Sequence, residues 1–189
     1  MALIIFSMSC GTALAGPFGL SMGMKKSDFK GELKEIAPHK YQTNTVPKKH
    51  SAFEAYVVQI GPKSGLCYIK AIGKDIRTNT YGSEVKSAFE EMESKLKSAY
   101  GDNKKLDFLR YESIWNEPKD WMPGLIKGER ILAAFWNVKE GSKLTDNLTD
   151  IALAASGTNR ETGYLAIDYT FSNKEACDAE IAAMEDGAL

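Results

Sequence analysis

Apolar and polar residues alternate along several stretches of the chain, and this pattern predicts β-strands. Residues 52–60 and 65–72 are rich in aromatic and branched side chains, and the turn sequence GPKS separates them. They predict a β-hairpin. Three further strands are predicted at 130–138, 148–155 and 163–171, and the last of these alternates most regularly.

Apolar residues recur at helical spacing in three other stretches. The first predicted helix covers residues 25–37. The second is capped by Ser83 and ends at Gly101, and the third is capped by Ser172 and ends at Gly187. The second helix has the clearest apolar stripe, which comprises Val85, Phe89, Met92, Leu96 and Tyr100.

The order of these elements predicts an α+β fold, with antiparallel sheet and helices packed on one face. Residues 106–128 are aromatic, contain two prolines, and are expected to be irregular. We expect one domain over 16–189. The element order suggests two similar β-rich halves, 16–105 and 106–189, each ending in a helix, although no sequence repeat accompanies them.

The first fifteen residues have the layout of a secretory signal. An apolar run is followed by ALA at Ala13–Ala15, and the first charged side chain is Lys25. This predicts cleavage after Ala15 and a periplasmic or secreted protein without an integral membrane segment. Two alternatives stay open, namely an uncleaved membrane anchor and a lipoprotein modified at Cys10.

Cysteine usage agrees with export. If the signal is removed, Cys67 and Cys177 remain, 110 positions apart. This spacing is unlike a redox or zinc motif, so the sequence predicts a disulfide. Cys67 is expected to share a strand face with Ile69 and Ala71, against which the last helix packs. Two separate buried thiols are the alternative.

The net charge and the motifs of the chain make binding of nucleic acid, metals and cofactors less favoured. The net charge of −1 gives no basic field for nucleic acid, although residues 16–50 carry a surplus of Lys and residues 174–189 a surplus of acids. His39 and His50 are the two histidines. Two histidines without a third ligand predict no metal site, and no cofactor motif is present.

The stretch GLSMG, residues 19–23, has the spelling of a nucleophile elbow around Ser21. That motif needs a strand before it, a helix after it, and a His far along the chain. Ser21 lies near the start of the mature chain, and both histidines lie within 29 residues of it. We therefore predict that Ser21 is not catalytic and that the protein is not an enzyme.

The segment SIWNEPKDWMPGLI is the strongest candidate for binding. Its large apolar side chains are of types enriched at interfaces. The predicted binding patch comprises Trp115, Trp121, Met122 and Leu125. The alternative is that these residues pack as a satellite core at the end of the sheet.

Two resemblances accompany these patterns. FGLSMGM followed by a predicted charged helix, and the hairpin ending in GLCYIKAIG, resemble a group of small secreted bacterial proteins without an assigned function. Residues 18–36 are also faintly similar to small α+β lipoproteins of outer-membrane assembly. Lys25 stands where those proteins place a capping Ser or Thr, and the lipid-bearing Cys is missing, so that role is not carried over.

The sequence therefore predicts a small exported protein that binds an unidentified partner, without catalytic machinery of its own. A module for a small ligand or peptide, using the segment 114–126, is the second hypothesis. A hydrolase using Ser21 is the least favoured.

Overall fold

The structure, a computed structural model, describes residues 16–187. Within these residues, three helices are present, α1 (Ser83–Tyr100), α2 (Trp121–Ile126) and α3 (Lys174–Asp186). Nine strands are present: β1 (Lys34–Ala37), β2 (Lys40–Thr43), β3 (Phe53–Gly61), β4 (Gly65–Gly73), β5 (Ile76–Arg77), β6 (Lys104–Leu109), β7 (Arg130–Asn137), β8 (Leu148–Asn159) and β9 (Thr162–Phe171). The predicted signal, residues 1–15, lies outside the described residues.

All nine strands belong to one antiparallel sheet, so the predicted α+β fold is confirmed. The strand order is β1-β2-β3-β4-β9-β8-β7-β6, and β5 pairs with the end of β9. The strands β1–β4 form one meander and β6–β9 form another. The pairing of β4 with β9 joins the two meanders, with Ile69 opposite Tyr169 and Ala71 opposite Ile167. The predicted hairpin and the three later predicted strands are confirmed.

The first face of the sheet, which we call the covered face, packs against α1 and α2. Helix α1 contacts β8 and β9, and α2 contacts β7 and β8. Alternate residues of the strands point to this face and are buried, as the period of a strand requires. The buried residues of this face include Val58, Ile69, Trp136, Ile151, Leu153, Leu165, Ile167 and Tyr169. The core therefore lies between the covered face and α1.

The boundaries of α1 follow from local hydrogen bonds. Its predicted stripe is largely confirmed, since Val85, Phe89, Met92 and Leu96 are buried. The predicted cap is wrong, because Ser83 is the first residue of the helix. The side chain of Asn79 serves instead, and its Oδ1 accepts hydrogen bonds from the backbone N–H groups of Tyr81 and Ser83. Gly101 ends the helix with φ +80°, as predicted.

The predicted helix over 25–37 is wrong. The segment contains one 3₁₀ turn, Lys26–Asp28, and then strand β1, which pairs with β2. Gly31 lies so close to Thr45 that a Cβ built on it would be 2.5 Å from Thr45 Cβ. Pairing with a neighbouring strand therefore overrides the helical spacing of the apolar residues.

The segment 106–128 is also more regular than predicted. It begins within the edge strand β6 and ends with α2. Strand β6 pairs only with β7 among the described strands, and its sequence KKLDFL carries charges on both faces. Such charges are typical of an edge strand and hide the alternation by which strands are recognised.

The predicted disulfide is present, but Cys67 lies on a different face of the sheet than expected. Cys67 and Cys177 lie at bonding distance, with Cα atoms 6.4 Å apart. The register between β3 and β4 shifts at Cys67, because Gln59 pairs with Tyr68 and the next residue pairs with Leu66. A β-bulge re-aims the side chain of its extra residue. Cys67 therefore does not share the face of Ile69 and Ala71.

Helix α3 consequently packs on the second face of the sheet, over β3 and β4. The side chain of Gln59, which alternates away from Val58, donates a 2.7 Å hydrogen bond to Asp178 Oδ1. The Glu180 carboxylate accepts hydrogen bonds from the backbone N–H groups of Lys63 and Ser64, at 2.9 and 3.0 Å. These bonds hold the pKa of Glu180 below its usual value.

Candidate binding surfaces

The predicted binding patch divides into a buried and an exposed part. Trp121, Met122 and Leu125 lie on α2 and belong to the hydrophobic core. Trp115 lies in the loop before α2 and is half-buried, and its neighbour Ile114 is 76% exposed. For the three residues of α2, this favours the packing alternative.

Close packing fixes Trp121 in place. Gly82, with φ +70°, lies against its ring, and a Cβ at Gly82 would be 2.0 Å from Trp121 Cε3. Lys86 lies on α1, and its ammonium group is 4.5 Å from the centroid of the Trp121 ring. The indole therefore joins α2 to the first turn of α1.

Ser21 lies in a setting unlike that of a nucleophile elbow. It follows a 3₁₀ turn, Pro17–Gly19, and precedes a second one, Lys26–Asp28. A nucleophile elbow requires a strand before the serine and a helix after it. The backbone N–H of Ser21 is hydrogen-bonded to Met24 Sδ, at 3.3 Å.

The two histidines belong to different loops. His39 lies in the turn between β1 and β2, and His50 lies before β3. In residues 16–187 no three His, Cys, Asp or Glu side chains are grouped so that they could hold a metal ion. No helix in the same residues is both long and apolar enough to cross a membrane.

The second face of the sheet has an uncovered part, which we call the open face. Helix α3 packs on this side over β3 and β4, whereas α1 and α2 pack on the opposite side of β7, β8 and β9. The open face is formed by the outward residues of five strands. Its apolar members are Ile72, Leu106, Phe108, Ile131, Ala133, Phe135, Ala152, Ala154, Tyr164 and Ala166, of which Ala133 and Ala166 are buried by their neighbours.

This composition is unusual for a solvated sheet face. Antiparallel sheets that face water on one side normally carry polar residues there. Here Phe108 is 47% exposed and Phe135 is 37% exposed, with Ala152 and Ala154 half-buried between their neighbours. Exposed apolar side chains grouped on one face make it a candidate interaction surface.

A polar cluster borders the open face where it meets β4. The carboxylate of Asp168 accepts a hydrogen bond from Tyr68 Oη, and Lys70 Nζ lies 3.2 Å from Asp168 Oδ1. Burial, then the hydrogen bond to Asp168 and its charge, raises the pKa of Tyr68. The hydroxyl therefore remains a neutral donor at physiological pH.

A shallow groove of about 340 Å³ runs beside this cluster. It lies over β6, β7, β8 and β9, and Phe135 and Ala152 contribute apolar walls. Lys104, Asp150 and Asp168 contribute charges. An apolar floor with a charged rim is the usual composition of a protein interface.

A strand is recognised in a sequence by the alternation of apolar and polar residues, which requires one apolar and one polar face. In β7, with the sequence RILAAFWN, both faces are apolar, and β8 carries Ala152 and Ala154 on its outer side. Such runs are typical of strands buried on both faces. The available signal is therefore the absence of polar residues from Ile131 to Trp136 in β7, where a solvated face would normally place them.

Comparisons of the chain with protein-family models, with curated proteins and with solved structures found no match. The surfaces described above are therefore the observations on which a function can be based.

Proposed function

We propose that this protein is an exported binding protein, and that it holds an apolar surface of a partner protein on the open face. The observation that carries this proposal is the row of partly exposed apolar side chains around Phe135, which lie on the side of the strands opposite to α1 and α2. Covering these exposed apolar side chains with an apolar surface of a partner would remove them from water, which is favourable.

The size and border of the open face suit a protein partner. It spans five neighbouring strands in the order β4, β9, β8, β7 and β6. This corresponds to about 20 Å across the sheet. Helix α3 already packs on the same side of the sheet over β3 and β4. The Lys70–Asp168 pair and Lys104 at the border provide orientation through charge.

Export is part of the proposal and rests on two supports. The first is the apolar run ending in ALA at Ala13–Ala15. The second is the Cys67–Cys177 pair, because disulfides persist in oxidising compartments. We expect the intact mass of protein recovered from an exporting host to correspond to a chain beginning at Gly16. A product that retains Met1 in the membrane fraction would contradict export.

Site-specific photocrosslinking tests the binding surface. A photoreactive phenylalanine analogue replaces Phe135, at the centre of the open face. In the control it replaces Ser94, an exposed residue of α1. After irradiation in the native compartment, we expect a discrete protein adduct from position 135 and none from position 94.

Three outcomes of this experiment count against the proposal. These are no adduct at position 135, equal labelling from both positions, and an adduct of twice the chain mass. The last would replace the partner by a second copy of this chain. Thermal unfolding of both variants before irradiation confirms that each one is folded.

The loop that follows β6 carries a second candidate, a ligand site around Trp115. It is favoured by one observation, since Tyr111 and Ile114 in this loop are 89% and 76% exposed. Titration of small apolar ligands or peptides should then change the tryptophan fluorescence. A Trp115→Phe variant that retains the whole change would place the ligand elsewhere.

A further inference from the structure

A furrow runs along the C-terminal half of α1, on the covered side of the molecule and apart from the open face. Its first part is a cavity of about 390 Å³ between α1, the segment Pro17–Phe18 and the loop at 48–50. The floor is aromatic, because the ring of Phe18 makes edge-to-face contacts with Phe53 and Tyr169 at 5.5 and 5.8 Å. This part of the furrow is therefore apolar at its base.

A second cavity of about 270 Å³ continues the furrow towards the start of α1. The two cavities share His50, Phe53, Met92 and Lys95 as lining residues. Together they follow α1 from Tyr100 to Ala88, a distance of about 18 Å along the helix axis. The furrow is thus elongated, which suits an extended chain better than a compact ring system.

The charges are distributed unevenly along the furrow. The first cavity is lined by Lys48, Lys49, His50 and Lys95, and none of its described lining residues is Asp or Glu. Lys95 is paired with Glu91 at 2.6 Å, whereas Lys48 and Lys49 have no carboxylate within ion-pair distance among the described residues. The second cavity is lined by carboxylates, Asp75 and Glu91, as well as by Lys74 and Lys95.

Backbone contacts hold the basic loop over the aromatic floor. The N–H of Lys48 donates a 2.9 Å hydrogen bond to the carbonyl of Phe18. The same loop is the end of the Lys-rich segment 16–50, so several lysine side chains contribute to its positive charge. An anion at this end would gain from several cations at once, while an apolar chain attached to it would cover the floor.

We propose that the furrow binds a single-chain anionic amphiphile of the fatty-carboxylate class. Its head group lies at Lys48 and Lys49, and its acyl chain extends along α1 towards Ala88. The proposal does not depend on a protein partner at the open face.

Displacement of a fluorescent fatty acid from the purified protein tests this site. We expect hexadecanoate to displace the probe and hexadecyltrimethylammonium, which has the opposite charge, to displace it much more weakly. In the double variant Lys48→Gln/Lys49→Gln, hexadecanoate should bind about tenfold more weakly. The matched control is Lys127→Gln/Lys139→Gln, which removes two exposed lysines outside the furrow and outside the open face and should bind as the wild type does.

A second variant tests the position of the acyl chain. Ala88→Phe should fill the far end of the furrow, so we expect the preferred chain length to shift from hexadecanoate to shorter acids. Equal affinity in the Lys48→Gln/Lys49→Gln variant would overturn the head-group site, and an unchanged length preference in Ala88→Phe would overturn the chain path. Binding to phosphatidylglycerol vesicles without probe displacement would indicate a membrane surface contact instead and would also overturn the proposal.

Discussion

The two faces of the sheet are built from similar residues and differ in what covers them. On the covered face, Trp136 and Ile151 are buried beneath α1 and its surroundings. On the open face, their neighbours Phe135 and Ala152 are equally apolar but partly exposed. Residue type alone therefore does not distinguish a core face from a partly exposed face in this sheet. The helices that pack on one side make the difference.

The adjacent residues Trp136 and Phe135 offer the sharpest test of this comparison. Trp136 is fully buried, and its Nε1 donates a 2.9 Å hydrogen bond to the carbonyl of Gly101. We expect Trp136→Ala to lower the free energy of unfolding by about 3–5 kcal/mol, because the cavity and the lost hydrogen bond add. Denaturant unfolding measures this, and a loss below about 1 kcal/mol would contradict the assignment of the covered face as the core.

The disulfide joins the second face of the sheet to α3, and its removal should have the next largest effect. We expect Cys67→Ala/Cys177→Ala to lose about 2–4 kcal/mol, since the bond closes a long loop in the unfolded chain. Denaturant unfolding of the oxidised wild type and the variant gives the difference. Peptide mapping without reductant checks that the bond forms, and two free thiols in the exported protein would refute it.

The carboxylate of Glu93 ties α1 to the edge strand on the covered face. It lies 3.1 Å from Lys105 Nζ and accepts a 2.9 Å hydrogen bond from Asn103. Burial raises the pKa of Glu93, but the hydrogen bonds from Asn103 and Lys105 and the charges of Lys105 and Lys97 lower it below its usual value. The ionised form is therefore the one that stabilises the fold.

This gives a prediction with a defined pH window. Glu93→Gln should cost about 1–3 kcal/mol at pH 7. Because the pKa is lower in the folded than in the unfolded state, the contribution is present above about pH 4.3 and is lost as the pH falls through the folded pKa. The free energies of unfolding of the wild type and the variant should therefore converge at acidic pH. A difference that does not depend on pH would contradict the role of the charge.

The smallest expected effect on stability is on the open face. Phe135→Thr keeps a residue that favours strands and removes an exposed ring, so we expect a change within about 1 kcal/mol. Partner crosslinking from a photoreactive residue at Ala152 should nevertheless fall strongly in this variant. A large loss of stability with unchanged crosslinking would mean that Phe135 belongs to the core.

Much of the fold could be predicted from the sequence where one period is clear. The alternation in β9 and the stripe of α1 are both reproduced by the structure, because each element buries one regular face. The disulfide was predicted from cysteine number and compartment, and its partners are those found. These features depend on local spacing or on simple counting.

The rest depends on contacts between distant residues. The bulge at Cys67 is a property of the β3–β4 register, which no single strand encodes. Strand β1 depends on pairing with β2 and overrides a helical pattern. The open face is apolar in β7 and β8 in the same way as a buried face, so its exposure follows only from where the helices pack.

The junction of the two meanders has a consequence for the order of folding. Each meander pairs strands that follow one another closely, whereas β4 and β9 bring together residues about a hundred positions apart. Pairing at such separation is slow, because the entropy of closing a long loop is lost before contacts are gained. Cys177 follows β9, so in a chain exported as proposed Cys67 has no native partner until every described strand of the sheet has crossed the membrane. An exported chain would therefore carry a reduced Cys67 through most of its translocation. The Cys67–Cys177 disulfide would form only after the strands had crossed.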